Sequence, residues 1–551
     1  MPHPKRSEGK AHRIEEGVSG TRPGPLLGTG DNTFLPGTKD SSRTSTGMDE
    51  STDGHEIRRR LPGARVVRRA RRTRLTHLAR VLGVPALFST CYGNVGSSIY
   101  YALGVTAIYA LGATPLVFLI AGAIFLCTAL SYAEGTAAYP EAGGSASFAR
   151  HGLGEVASFF AGWSQILDFV VTIAISAFAV PNYMAGIAPA LAVLGQYPGN
   201  VIGGVTVVLM LVLLNVIGIR ETTLLNIILA LVDLLTQVLL MSVGAFLLFN
   251  WHTIIENLRP ALAPTPHQFL YGISIGMIAY TGIETISNMA EEVRNPAKAV
   301  PRAIGLVFLA VIVMYTGLPL VALSAMPVTM NHDTGQPTTT LVSQYKEDPV
   351  LGIASALPES WARLFRPWIG MLASTILIIA TNAGIIGISR LALSMGSHMQ
   401  LPRSLGTVHR RFRTPYVSII LFPLAAVLLI IPGRIEFLAE MYGFGAMLSF
   451  SMAHSAVLAL RKKKPNLERP FVIKPNIKVG GTGLPVTTLI GLAGTFGAWI
   501  VIVLTHPAAR VFGFAWLAVG AASYVLYRRK MGLRLNVTIT ARDFLAGPEK
   551  K

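Results

Sequence analysis

Four acidic residues interrupt long apolar stretches of this chain: Glu134, Asp168, Asp233 and Glu284. An ionised carboxylate in hydrocarbon is costly, so each is expected to face protein or water, or to become neutral by taking a proton. Glu134 stands near the end of its stretch and reads as a structural anchor. Asp168, Asp233 and Glu284 are the candidates for coupling or gating. Asp233 either cycles its proton, joins a cation site or sits in a structural hydrogen bond, whereas Glu284 either positions a helix end or meets an amine.

Two short interruptions carry the other chemistry, Gly93-Asn94-Val95-Gly96-Ser97-Ser98 and Ala279-Tyr280-Thr281-Gly282-Ile283-Glu284. At membrane depth, backbone leaves helical geometry only where protein, a cavity or a ligand satisfies it. Freed N–H groups and a half-helix N-terminus favour an anion, and freed carbonyls favour an ammonium group. The competing reading of each interruption is a kink packed by Gly and Ser. Tyr92, Tyr100 and Tyr280 either line such a site or pack beside it.

These residues need long helices to hold them. The 551 residues are 51% apolar and 14% charged, and the apolar runs have the length a bilayer core demands. The segments are approximately 82–108, 113–138, 155–185, 200–218, 223–249, 268–290, 302–325, 367–390, 415–431, 434–459, 485–505 and 510–528. The fold class is therefore an all-α polytopic membrane protein with 12 transmembrane helices.

An even number of spans puts both ends on one side. The loops of that side carry seventeen Lys or Arg, against six on the other, so the charge rule places both termini in the cytoplasm. The expected location is a cell membrane, read as a bacterial cytoplasmic membrane.

Residues 1–75 are rich in Gly, Pro, Ser, Thr and charge, a composition that predicts a disordered cytoplasmic tail. Ten arginines between Arg58 and Arg80 form a basic juxtamembrane end suited to anionic lipids, with no need of nucleic acid. The body is expected over 76–530, with a short cytoplasmic tail at 531–551. The net charge of +19 follows largely from these loops and tails and says little about the solute.

Cys91 and Cys127 offer neither a disulfide framework nor a metal cluster. No Gly-rich phosphate loop followed by Lys and Ser or Thr is present, which argues against an ATP-driven pump. No nucleophile or acid–base set is visible, so an enzyme is not expected and no cofactor or metal is called for. The loop Tyr139-Pro140-Glu141-Ala142-Gly143-Gly144-Ser145 is either part of a cytoplasmic vestibule or a tight turn. The outward stretch from Met326 to Pro367 is either a cover or a variable surface loop. Glu291, Glu292, Arg294 and Lys298 belong to a polar connecting helix, as gating pairs or as a hydrated surface. Thr381, Asn382 and Gly384 are expected mainly to pack helices.

Several fragments resemble the amino acid/polyamine/organocation transporter family. They are Asn94-Val95-Gly96-Ser97-Ser98-Ile99-Tyr100, Leu130-Ser131-Tyr132-Ala133-Glu134 through Arg150, Ala279 to Glu284 with Asn288-Met289-Ala290-Glu291-Glu292 through Pro301-Arg302-Ala303-Ile304, and Ser389-Arg390-Leu391 through Gln400-Leu401-Pro402 with His409-Arg410-Arg411-Phe412. The resemblance covers about residues 80 to 530. It implies a five-plus-five inverted repeat with broken helices 1 and 6, plus two additional helices.

It also implies that Gly96, Ser97 and Ser98 hold a substrate carboxylate, and that Ala279, Tyr280, Thr281 and Gly282 surround the amine or side chain. Ser98 departs from the family's glycine. Asp233 stands where some proton-coupled relatives place a lysine, so that lysine mechanism does not transfer. The expected activity is secondary active transport of an amino acid by alternating access, with proton coupling preferred over sodium coupling or exchange. Transport or exchange of an amine or polyamine, a channel, and a non-transporting amino-acid sensor are the alternatives.

Overall fold

The computed structural model describes residues 82–218 and 223–538. The expected tail over 1–75, the basic flank from Arg58 to Arg80 and the end of the expected C-terminal tail lie outside the described residues.

Among the described residues, ten helices are long and apolar enough to cross a membrane, judged by length and composition. The first, Val84–Ala138, has 55 residues. As one straight helix it would measure roughly 80 Å, far more than a bilayer core requires. It is divided at the 3₁₀ turn Leu111–Ala113, where Leu111 takes φ 46° and ends the preceding helix. The result is two membrane-length pieces, one ending at Ala110 and the other being Thr114–Ala138. Tyr416–Ile430 adds a shorter apolar helix of 15 residues.

Three elements differ from the sequence expectation. The 367–390 segment is the inner part of a 39-residue helix, Glu359–Ser397, whose first turns, largely exposed but with Ala362 and Phe365 buried, continue through Pro367. The polar connecting helix before Arg302 is absent as a separate element, because Pro296 starts a helix that runs unbroken to Ala325. Glu291 and Glu292 instead occupy a short 3₁₀ turn, Ala290–Glu292. In both helices apolarity marked the membrane part, while local propensity carried the helix further.

The centre of the bundle is the helix Glu155–Ala185, whose most apolar 18-residue window is wholly buried. It packs chiefly on Glu359–Ser397 and Ile435–Lys463. Small residues allow that approach: a Cβ at Gly384 would come 2.8 Å from Ile173, and one at Gly387 would come 2.7 Å from Phe169. By contrast, Gly199–Ile217, Leu224–Leu248, Val486–Thr505 and Pro507–Lys530 are each less than one-third buried over their apolar windows. They form the outer, lipid-facing helices of the bundle. The hydrophobic effect drives little helix association in lipid, so close packing at such glycines and side-chain hydrogen bonds must hold the inner helices together.

The Met326 to Pro367 stretch is structured rather than open. It contains a hairpin, Val328–Met330 with Pro337–Thr339, and two short helices, Thr340–Ser343 and Pro349–Ala356. A Cβ at Gly104 would come 2.1 Å from the Lys346 carbonyl oxygen, so this stretch lies directly on the Ile99–Ala110 helix. A second hairpin pairs Asn476–Val479 with Thr482–Pro485. Gly480 and Gly481 turn it at φ 56° and 80°, a two-residue turn that only small residues accept readily.

Candidate functional site

The two predicted interruptions are unequal. At the first, Val84–Val95 passes through a 3₁₀ turn at Gly96–Ser98 into Ile99–Ala110. The backbone stays in the right-handed region, and the Gly96 amide still donates to the Tyr92 carbonyl. At the second, Pro266–Gly276 tightens to 3₁₀ over Met277–Tyr280, Thr281 becomes extended at φ −78° and ψ 157°, and Gly282 turns to φ 116°. The helix resumes at Glu284–Asn288. Gly282 is required there twice over: its φ is foreign to L side chains, and a Cβ would meet the Asn94 amide nitrogen at 2.9 Å.

The two interruptions touch each other. Asn94 Nδ2 donates to Thr285 Oγ1 at 2.9 Å, and the Cys91 thiol lies 3.7 Å from the Gly282 carbonyl. Glu284 Oε2 turns back to accept the Gly282 N–H at 3.1 Å, so this carboxylate holds the extended turn that precedes its own half-helix. Tyr280 donates to the Phe118 carbonyl at 2.7 Å, the Thr281 hydroxyl donates to the Ile278 carbonyl at 2.9 Å, and Tyr315 donates to the Val95 carbonyl. Ala279 is fully buried between them.

Asp168 and Glu284 come together. Both are fully buried, and each carboxyl lies within electrostatic reach of the other. Among the described residues, neither Asp168 oxygen has a hydrogen-bond partner, and neither does Glu284 Oε1. Tyr101, Tyr132 and Tyr442 stand close enough to feel the Asp168 charge. The Thr172 hydroxyl bridges the Asp168 carbonyl at 2.9 Å and the Tyr442 hydroxyl at 2.8 Å. A Cβ at Gly445 would come 3.0 Å from the Asp168 amide, which fixes how closely the Ile435–Lys463 helix can approach. Ser98 joins from the first interruption, its hydroxyl 2.8 Å from that of Tyr101.

Asp233 is set apart from this pair. It accepts hydrogen bonds from Tyr100 at 2.6 Å, Tyr92 at 3.0 Å and Gln237 at 2.7 Å. The two tyrosines lie on either side of Gly96–Ser98, so one carboxylate grips both halves of that helix. A Cβ at Gly96 would come 2.7 Å from the Tyr92 ring, which explains why the residue between them is small. The Ser97 hydroxyl donates to the Asn94 carbonyl at 3.0 Å.

At the end of the bundle where Leu82 meets Glu292, the expected anchor is present. Arg461 pairs with both Glu134 oxygens at 2.7 and 2.6 Å, and the Ile473 amide adds a bond at 3.0 Å. The Tyr139–Ser145 loop docks on the second half-helix: the Ala142 N–H donates to Glu291 at 3.0 Å and the Gly143 N–H donates to Asn288 at 3.1 Å. Glu292 pairs with Arg390 at 2.9 Å. Glu141 collects Ser147, Arg150 and His151. Burial opposes its charge, but the His151 and Ser147 hydrogen bonds and the Arg150 charge outweigh that and hold its carboxyl at about 2. Thr381 bonds within its own helix, Asn382 accepts from Asn215 at 2.6 Å, and Gly384 packs on Ile173, all scaffold contacts.

Sequence reasoning named Asp168, Asp233 and Glu284 but missed Tyr101, Tyr132, Thr172, Gln237 and Tyr442. Thr172 and Gln237 each follow an acid by four residues on a helix, a spacing that puts them on its face. The tyrosines carried no such signal, because an aromatic in a membrane helix is usually only packing.

Comparison with known proteins completes the picture. A family model described as "Amino acid permease" matches residues 82–524. The chain is similar to the branched-chain amino acid permease BcaP of Bacillus subtilis strain 168, 27% identical over 79% of this chain and 90% of that protein. It is also similar to the methylthioribose transporter of the same organism, 25% identical over 76% and 86%. The potassium transporter KimA of that organism is 27% identical over 62% of this chain and 54% of its own length. The matched region contains both interruptions and all four membrane acids, and the chain belongs to the amino acid permease family of the amino acid/polyamine/organocation superfamily, a family of non-enzymatic membrane transporters.

Proposed function

We propose that this transporter moves an amino acid across the cytoplasmic membrane by alternating access, with a proton as the coupling ion. The observation that carries the reading is the pair of buried carboxyls, Asp168 and Glu284, within electrostatic reach of each other beside the interruption at Thr281–Gly282. Two such groups away from water need a shared proton or a bound cation between them. A substrate ammonium group fits that need, aided by carbonyls that the interruption leaves outside the helical ladder.

The substrate carboxylate is assigned to Gly96, Ser97 and Ser98, with Ala279, Tyr280, Thr281 and Gly282 around the remainder. The 3₁₀ geometry at the first interruption leaves less free backbone than at the second, so serine hydroxyls share that task. A twelve-span, five-plus-five arrangement supports the motion: the two interrupted helices rock against a scaffold centred on Glu155–Ala185. Similarity to a branched-chain amino acid permease favours an amino acid over an amine.

A second reading rests on the same carboxyls. Their unpartnered oxygens, ringed by hydroxyls, also suit a small monovalent cation, and one relative is named a potassium transporter. The deciding experiment is uptake and counterflow in proteoliposomes across amino acids, amines, polyamines and potassium, with and without an inward proton gradient. Saturable amino-acid counterflow enhanced by the gradient supports the proposal. Potassium flux without amino-acid movement replaces it with the second reading, and binding without flux of any solute replaces it with a sensor.

A further inference from the structure

The first interrupted helix begins beside the contact of Leu82 with Glu292 and ends at Ala110, at the opposite end of the bundle. There its last turns run against Pro266–Gly276. A Cβ at Gly272 would come 3.1 Å from that of Ala110, and one at Gly276 would come 3.6 Å from Thr106 Cγ2. The Tyr109 and Tyr271 rings meet edge to face at 4.2 Å and close the seam between the two half-helices. Thr106, one turn deeper, is fully buried, and among the described residues its hydroxyl has no hydrogen-bond partner.

A residue from a distant part of the chain covers that seam. His506 is the connection between Val486–Thr505 and Pro507–Lys530. Its ring stacks on Tyr271 at 3.9 Å and meets Tyr109 edge-on at 6.3 Å. Its Nδ1 lies 2.8 Å from Glu440 Oε1, on the second turn of Ile435–Lys463, and the two side chains are only 15% and 14% exposed. Water and salt screen such a pair far less than one on the surface. The pair is ionic only while the imidazole holds its second proton, which imidazole side chains exchange between about pH 5 and 8. A neutral ring keeps at most one hydrogen bond to the carboxylate and loses the charge that strengthens it. The other charged groups at this end are engaged elsewhere or face water. Glu436 takes Lys346 at 2.7 Å, with Glu347 within reach of its charge, and Arg434, Arg510 and His267 are exposed. Tyr109 and Tyr271 both lie within electrostatic reach of Glu440.

We propose that His506 is a proton-operated latch on this end of the bundle. Protonated, it clips the connection between the last two helices to Glu440 and lies over the Tyr109–Tyr271 seam. Neutral, it loosens from Glu440 and lets the two half-helices part. The latch acts through the tyrosines and touches no solute, so it is separate from the Asp168–Glu284 pair and does not depend on which solute is carried or on what drives it.

The test reads accessibility instead of flux, so its outcome is independent of the transport assay. Thr106→Cys places a thiol behind the seam, and the full chain in detergent is labelled with a cationic methanethiosulfonate at about pH 5.5 and about pH 8. Each rate is divided by that of the same protein denatured in detergent, which removes the reagent's own pH dependence. The chain without this substitution, its Cys91 and Cys127 buried, gives the background. The normalised rate is expected to be roughly fivefold or more higher at the upper pH. Adding His506→Gln should make labelling fast at both pH values, whereas His506→Lys, whose charge persists, should stay slower than His506→Gln at the upper pH. Glu440→Gln should lose the pH dependence, and His267→Gln should keep it. A wild-type pH profile in His506→Gln overturns the proposal, as does one in Glu440→Gln should His506→Gln fail to fold. A reporter equally slow at both pH values in wild type and in these variants overturns it too.

Discussion

Tyr100 and Asp233 are joined by a 2.6 Å hydrogen bond that ties the C-terminal half of the first interrupted helix to a neighbouring helix. Tyr92 reaches the same carboxylate from the other half, so movement of either half must stretch or exchange one of these bonds. Asp233→Asn keeps the size but replaces one acceptor oxygen by a donor that faces donors. Bonds to a charged acceptor contribute about 1.5–3 kcal/mol each. The variant is expected to lose most uptake while remaining folded, and Tyr92→Phe or Tyr100→Phe to lose several-fold. Wild-type transport by Asp233→Asn in proteoliposomes would show that the clamp is dispensable.

The Asp168–Glu284 pair makes a different prediction. Asp168→Asn and Glu284→Gln should each raise the substrate KM at least tenfold and flatten the dependence of uptake on external pH. Thr172→Val, which removes the hydroxyl's bonds to the Asp168 carbonyl and to Tyr442 but leaves both carboxyls in place, should have a smaller effect on KM and keep the pH profile. Initial rates between pH 5 and 8 separate these cases, and an unchanged profile in both carboxyl variants speaks against proton coupling at this pair.

Gly282→Ala introduces a side chain where the backbone is at φ 116° and Asn94 is 2.9 Å away. The backbone term alone costs about 1 kcal/mol or more. Transport is expected to fall more than tenfold. Asn94→Ser in the same chain relieves the contact but not the dihedral, so only partial recovery follows; full recovery would mean that the clash, and not the backbone, dictates glycine here.

Glu134→Ala leaves Arg461 without its two-oxygen partner in a nearly buried position. Breaking such a pair costs about 3–5 kcal/mol. A clear drop in Tm in detergent is expected, with KM unchanged in the protein that remains folded. A large KM change at unaltered Tm would move Glu134 from anchor to site.

Asp348 lies in the Met326 to Pro367 stretch, outside the spans, and burial followed by the adjacent Glu347 charge pushes its carboxyl up to about 7. The folded protein thus binds this proton more tightly than the unfolded chain, whose Asp titrates near ~4. Its contribution to stability is full below about pH 4 and is lost as pH rises toward about 7. Asp348→Asn should remove that part of the decline, raising Tm relative to wild type at pH 8 and little at pH 4. Parallel melting curves at both pH values would contradict the assignment.

The sequence by itself determined the membrane-spanning character, because length and apolarity of a segment are local properties that the bilayer reads directly. It also marked the interruption at Thr281–Gly282 through a glycine in polar company, and the acids through their cost in lipid. Tertiary structure decided which acids act together. Asp168 and Glu284 are more than a hundred residues apart and meet only because the Glu155–Ala185 helix runs through the centre of the bundle, whereas Asp233, equally conspicuous in sequence, is taken up by Tyr92, Tyr100 and Gln237. Tertiary contact likewise revealed that Gly96 makes room for the Tyr92 ring while its amide stays in the helix. Spacing along one helix can be read from the chain, but pairing between helices depends on packing that no local pattern encodes.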